Sequence, residues 1–164
     1  MKDFVLVPTL QDLDPDSIDL VRHAERALPT SHAPYSKFHV GAALLLDNGV
    51  IVTGTNQENA AYPSGMCAER VALFTLASQY PGQVIKKMAV VALDKNTPEP
   101  SPELAPATCC GGCRQVMLEF EDRQGKPFEV VMQTEDRQWV KAPSARSLLP
   151  FCFTSSTLGA AKIN

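Results

Sequence analysis

The sequence predicts an α/β fold, a mixed sheet covered by helices on both faces. Three observations lead there. Helical and strand patterns alternate through the second half of the chain. Two apolar runs flank Asn48-Gly49, a pair of residues that tolerates positive φ and so closes a hairpin. Lys87 to Leu93 is a short, almost unbroken apolar run, the pattern of a strand buried on both faces.

The elements follow in order. Asp14-Pro15-Asp16 opens a helix: Asp14 is the cap, Pro15 the first helical residue and Asp16 a first-turn acid. Ile18, Leu20, Val21, Ala24 and Leu28 form its apolar face, and Pro29 stops it. Phe38 to Leu46 and Val50 to Thr53 are the hairpin strands. Pro63-Ser64-Gly65 is a loop, and a helix runs from about Cys67 to Leu76. After the buried strand come Pro98, Pro100, Pro102 and Pro106, which permit neither a helix nor a central strand. Gly111-Gly112 opens a helix through Phe120. Phe128 to Met132 is a further strand, and Ser147-Leu148-Leu149-Pro150 a short helical turn. The tail from Thr154 to Asn164 is polar and small, and reads as mobile.

At 164 residues the chain is one domain, 1–164, and a domain of this length buries roughly 70% of its unfolded surface. Its 45% hydrophobic and 20% charged residues are ordinary soluble usage and exclude a disordered chain. No apolar run approaches the ~20 residues of a membrane span. Only Phe4 to Val7 precede Pro8 as an apolar stretch, too short for a signal peptide, so a cytoplasmic protein with no membrane partner is expected. Fifteen basic residues against eighteen acidic give a net charge of −3. Binding of polymeric nucleic acid calls for a basic excess, so a small uncharged substrate fits better.

The five cysteines, Cys67, Cys109, Cys110, Cys113 and Cys152, are an odd number without an export signal, which disfavours a disulfide framework. Cys110-Gly111-Gly112-Cys113 has the spacing with which two thiolates grip one tetrahedral ion. No second Cys/His pair closes the site. One upstream cysteine does, in Cys67-Ala68-Glu69-Arg70. Three protein ligands with an open fourth position is the pattern of catalytic zinc. Both groups sit where a loop enters a helix, and helix N-termini favour thiolates. Three thiolates leave the ion net negative, and Arg70 is spaced to donate to the sulfurs. Glu69, two residues from Cys67, is the candidate acid/base. His23, His32 and His39 read as surface or core residues, and Cys152 as a buried free thiol.

Five ordered blocks resemble the zinc-dependent cytidine deaminases. They are Tyr35 to Leu44, Asn56 to Pro63, Cys67 to Arg70, Cys110 to Gln115 and Leu148 to Phe153. The resemblance implies a three-layer α/β/α fold with a mixed five-stranded sheet, one Zn²⁺ per chain and a homotetramer whose subunits share active sites. It implies zinc on Cys67, Cys110 and Cys113, Glu69 as proton shuttle and Arg70 as compensation for thiolate charge. Asn56 and Glu58 would bind the ribose, Phe38 would pack on the pyrimidine, and Ala68 would lie at the substrate. Ala60 and Tyr62 would reach a neighbouring subunit's site, and Phe153 would cover the base from another subunit. Two departures stand out. Cys109 occupies the position of the family's usual proline and is a rival ligand to Cys110, and Phe151-Cys152 before Phe153 offers a second aromatic cover.

The implied reaction is hydrolytic deamination of cytidine and deoxycytidine, as used in pyrimidine salvage. Glu69 passes a proton from activated water to N3, C4 becomes electrophilic, and ammonia leaves. The alternatives are a zinc deaminase of a related aminopyrimidine nucleoside analogue and a non-enzymatic zinc scaffold or redox protein. The scaffold would supply a fourth protein ligand. A nucleotide-level deaminase usually carries histidine where Cys67 stands, and needs a phosphate site.

Overall fold

The structure is a computed structural model, and it describes residues 4–96 and 103–159. Six strands and three helices make up the frame. They are β1 (Val5–Val7), α1 (Pro15–Ala27), β2 (Phe38–Leu46), β3 (Ile51–Thr55), α2 (Ala68–Gln79), β4 (Ile85–Asp94), α3 (Gly111–Gln124), β5 (Glu129–Gln133) and β6 (Trp139–Ala142). One sheet holds all six strands in the order β1-β6-β5-β4-β2-β3. Only β4 and β5 pair in parallel; every other neighbouring pair is antiparallel.

The period of two along each central strand sorts the core into two halves. Ala42, Leu44, Met88, Val90 and Val130 point to one face, under α2 and α3. Ala43, Ala89, Val91 and Val131 point to the other, under α1 residues Leu20, Val21 and Ala24. The result is the three-layer α/β/α architecture that the sequence resemblance implies.

Two strands lie outside the sequence reading, so the expected five-stranded sheet is corrected to six. β1 has only three residues, two of them exposed, and β6 only four. Neither shows enough alternation to be read without its partner. The expected mobile tail is also corrected in part, because Ser155–Leu158 forms a 3-10 turn. Residues 160–164, and most of the proline-rich stretch (97–102), lie outside the described residues.

Most predicted ends hold. Asp14 caps α1 by accepting from the Ser17 N–H at 3.0 Å, and a 3-10 turn at Leu28–Thr30 follows where Pro29 sits. Gly49 takes φ +84° in the hairpin turn, and the Asn48 Oδ1 accepts from Val50 N–H at 3.1 Å.

Asp14 also anchors α1 to the sheet. Its carboxylate accepts from Lys87 Nζ on β4 and from Lys141 Nζ on β6, each at 2.7 Å. Glu129 on β5 approaches the same two lysines at 2.9 and 3.4 Å. Partial burial pushes the Asp14 carboxyl up, but hydrogen bonds from Lys141, Lys87 and Ser17 outweigh it and hold the group well below the usual carboxylate range. A depressed folded value stabilises above the unfolded value, near 3.9, and that stability is lost as pH falls through the folded one. Asp14→Ala therefore costs about 2 kcal/mol at neutral pH, from the lost cap and two partly exposed ion pairs. Urea denaturation shows this, with the gap between wild type and variant narrowing below about pH 4.

Candidate active site

The topology explains why cysteines far apart in sequence meet. β3 and β4 both run antiparallel to β2, so they are parallel to each other. Parallel strands need crossovers, here α2 after β3 and α3 after β4. Both helices therefore start at the same end of the sheet, on the same face, at the carboxyl ends of their strands. That is where open α/β sheets place ligands.

Cys67 is the N-cap of α2 and Cys110 the N-cap of α3. The sulfurs of Cys67, Cys110 and Cys113 all lie within 4.8 Å of one another. Cys110 Sγ accepts from the Cys113 N–H at 3.4 Å, so the helix end is capped by a sulfur. Arg70 Nη2 donates to Cys67 Sγ at 3.4 Å. Cys113 hydrogen-bonds Cys67 and, with Arg70, lowers the Cys67 thiol to about 5 against the opposing effect of burial. The Cys113 thiol is pushed up, because it keeps the shared proton. A trio of mutually close sulfurs, one of them readily ionised and compensated by a guanidinium, is the donor set of a soft tetrahedral ion. Zinc fits these residues.

Among the described residues the group has three members and no fourth. Cys109 is not one of them. It is buried and hydrogen-bonds Glu69, which leaves Cys110 as the member of the pair in the group. None of the three histidines joins the group. His23 pairs with Asp19 at 3.6 Å, His32 is exposed, and His39 Nδ1 meets the Ser31 hydroxyl.

Glu69 stands in the first turn of α2 and is only 4% exposed. Burial, reinforced by the Cys67 charge, raises its carboxyl above the usual value; the backbone and Cys109 oppose this. A carboxyl raised in this way is better suited to donate a proton as well as accept one. Ala68 beside it is fully buried.

Close packing fixes this turn on the sheet. A Cβ at Gly54 on β3 would stand 2.4 Å from Ala72 N and 2.6 Å from Ala68 O. Only glycine lets α2 approach so closely. Gly54→Ala should cost about 2 kcal/mol through overpacking. It should also lower activity and zinc content together, because the displaced helix carries Cys67 and Glu69; thermal melts and metal analysis of the variant check this.

The other predicted residues fall around the loop before β2. Asn56 spans two backbone groups: its Oδ1 accepts from Val40 N–H and its Nδ2 donates to Phe38 O, both at 2.8 Å. Glu58 Oε2 accepts from Tyr35 N–H at 2.9 Å and Ser36 N–H at 3.2 Å. The Ser36 hydroxyl also bonds the Glu58 carboxylate; a second N–H on Asn56 and remaining lone pairs on Glu58 can still take partners. A cavity of about 400 Å³ opens here, lined by Tyr35, Ser36, Glu58, Asn59, Tyr62 and Gly65. Tyr35 and Tyr62 meet edge to face at 6.0 Å. Tyr35 and Ser36 were not among the predicted contacts; their signal was the loop motif that Glu58 holds by its backbone.

Phe38 is half-buried, and Ala60 and Tyr62 are exposed. Phe153 is 54% exposed and Phe151 95% exposed, and neither lines the cavity. The expectation of a buried Cys152 is wrong. It is exposed, with Arg146 Nη1 donating to its sulfur at 3.2 Å, because its segment runs over the surface.

The chain is similar to known proteins. Residues 15–126 match the family model of the cytidine and deoxycytidylate deaminase zinc-binding region. A cytidine deaminase of Halalkalibacterium halodurans is 37% identical over 139 residues, 85% of this chain and 95% of that one. A probable cytidine deaminase of Dictyostelium discoideum is 39% identical over 135 residues, 82% of each chain. The crystal structure of cytidine deaminase from Burkholderia pseudomallei superposes with a TM-score of 0.66 at 35% identity, covering 86% of this chain and 100% of that one. That from Mycobacterium tuberculosis gives 0.64 at 31% identity, over 86% of this chain and 99% of the other. With three sulfurs gathered at two helix N-termini and a buried glutamate beside them, the chain belongs to the cytidine deaminase family of zinc hydrolases.

Proposed function

We infer that the protein catalyses the zinc-dependent hydrolytic deamination of cytidine and deoxycytidine to uridine and deoxyuridine, releasing ammonia. The observation that carries this is a three-sulfur site with a buried carboxylate in the same helix turn as its first ligand. Cys67, Cys110 and Cys113 would hold the ion. Bound there, zinc supplies Lewis acidity that makes water nucleophilic at neutral pH. Arg70 tempers the negative charge of the sulfurs, which would otherwise weaken that acidity. The Glu69 carboxylate accepts a proton as water adds to C4 and delivers it to N3. A second transfer through Glu69 goes to the exocyclic amine, the C4–N bond breaks, and ammonia leaves. Burial of Glu69 keeps bulk water from diverting these protons.

Asn56 and Glu58 have free hydrogen-bonding capacity for ribose hydroxyls, and Phe38, held by Asn56, offers an apolar face to the pyrimidine. A site whose polar groups need partners disfavours a substrate that lacks them. Free cytosine is therefore expected to be at least about a hundredfold poorer than cytidine in kcat/KM, by steady-state assay.

Tyr62 lines the cavity yet is largely exposed, and Phe153 is exposed outside its lining, which fits a homotetramer in which neighbours complete each site. A nucleoside substrate, a role in pyrimidine salvage and a cytoplasmic location go with this reading. No described helix is long and apolar enough to cross a membrane. The test is an ultraviolet assay of cytidine loss with zinc measured on the same sample. About one zinc per chain with uridine appearing supports the assignment; equal activity in metal-free protein overturns it.

A further inference from the structure

α3 does more than carry two of the sulfurs. Its residues 114 and 121 align at a seven-residue spacing, as do 115 and 122, forming two adjacent polar rows along two helical turns. Each of these residues holds the segment that follows β6. Glu121, nearly buried, accepts from Ala145 N–H at 2.7 Å and also from Phe128 N–H at 3.3 Å. Asp122 accepts from Arg146 Nη2 at 2.7 Å. Arg114 Nη1 donates to Leu148 O at 3.5 Å. Gln115 Nε2 donates to Phe153 O at 2.8 Å.

The last two contacts come from the residues immediately after Cys113. Past Leu149 the chain exposes Phe151 and Phe153, with little apolar packing to fix it. The Gln115 bond is therefore the constraint nearest to Phe153. It ties the Phe153 backbone to the start of the helix that bears Cys110 and Cys113.

We propose that Gln115 is a positioning residue, whose amide holds the Phe153 backbone and so sets how that aromatic reaches a neighbouring subunit's nucleoside. The proposal rests on the reading of Phe153 as a cover for the base. It concerns binding and leaves the proton transfers to Glu69.

Two substitutions separate the hydrogen bond from mere bulk. Gln115→Glu keeps the shape but turns a donor toward a carbonyl into an acceptor. Gln115→Lys keeps a donor of similar reach. In the zinc-loaded enzyme, Gln115→Glu is expected to raise KM for cytidine about fivefold, the scale of one hydrogen bond, with kcat within about twofold. Zinc content should stay at the wild-type value. Amide exchange between Leu149 and Thr154 should quicken by a similar factor, and Gln115→Lys should restore most of both. Phe153→Ala should raise KM as much or more, and the double variant should show no further rise, as for two residues acting through one contact.

An unchanged KM and exchange rate in Gln115→Glu, beside a raised KM in Phe153→Ala, overturns the positioning role alone. A fall in kcat at constant KM, or KM effects that multiply in the double variant, also overturns it. An unchanged KM in Phe153→Ala overturns the cover itself, and the inference with it.

Discussion

Glu69→Gln is expected to bind zinc at the wild-type stoichiometry and to lose at least about a thousandfold in kcat, the upper range for acid–base catalysis. The substitution is nearly isosteric and buried, so the first turn of α2 should keep its shape. What disappears is a group that can take a proton from one atom and give it to another. An amide does neither near neutral pH. KM should change far less than kcat, because the glutamate acts on the reacting atoms rather than on the ribose. Single-turnover kinetics with metal analysis on the same preparation decide this. A variant within tenfold of wild type would remove Glu69 from the mechanism.

Cys67→Ala should have the other large effect, through the metal. Cys67 is both the N-cap of α2 and one of three sulfurs within 4.8 Å. Without it two ligands remain, the Arg70 guanidinium loses one of its sulfur acceptors, and the cap is gone. Metal content should fall from about one ion per chain to well under a tenth, since structural-scale zinc binding is built from three or four ligands. Turnover should fall with it. Far-ultraviolet circular dichroism should remain close to native, because the core beneath the site is built mainly from aliphatic side chains. Stripping the wild type with a chelator should reproduce the loss, and added zinc should reverse it in the wild type only. By contrast Cys109→Ser should retain zinc, since the Cys109 side chain faces Glu69 instead of the sulfur cluster.

Much of the frame follows from local chemistry. Asp14 before Pro15 marks a helix start because a carboxylate caps and proline pre-sets φ. Asn48-Gly49 marks the hairpin because Gly49 accepts a positive φ. The run Met88 to Leu93 within β4 is apolar because helices cover both of its faces. β1 and β6 escaped notice because three or four residues carry too little pattern; their strand character comes from pairing with each other and with β5. Cys152 was misjudged because composition makes a free cysteine a core residue, while the chain after Leu149 happens to cross the surface.

The metal ligands were legible because coordination needs particular atoms at particular spacings, and a Cys-x-x-Cys turn with a Cys-x-Glu partner is rare by chance. The sequence alone thus pointed to a cysteine donor set, to Glu69 as the candidate acid/base and to the three-layer class. Tertiary structure decided what spacing cannot encode: that parallel β3 and β4 send α2 and α3 from the same end of the sheet, and that Gly54 lets α2 settle against it. It also resolved Cys109 from Cys110, neighbours whose side chains leave a helix start in different directions, one to Glu69 and one to the sulfurs. The physical reason is range. Caps, turns and chelate pairs are short-range and are written in adjacent residues, whereas convergence of distant segments depends on the burial of two apolar faces at once.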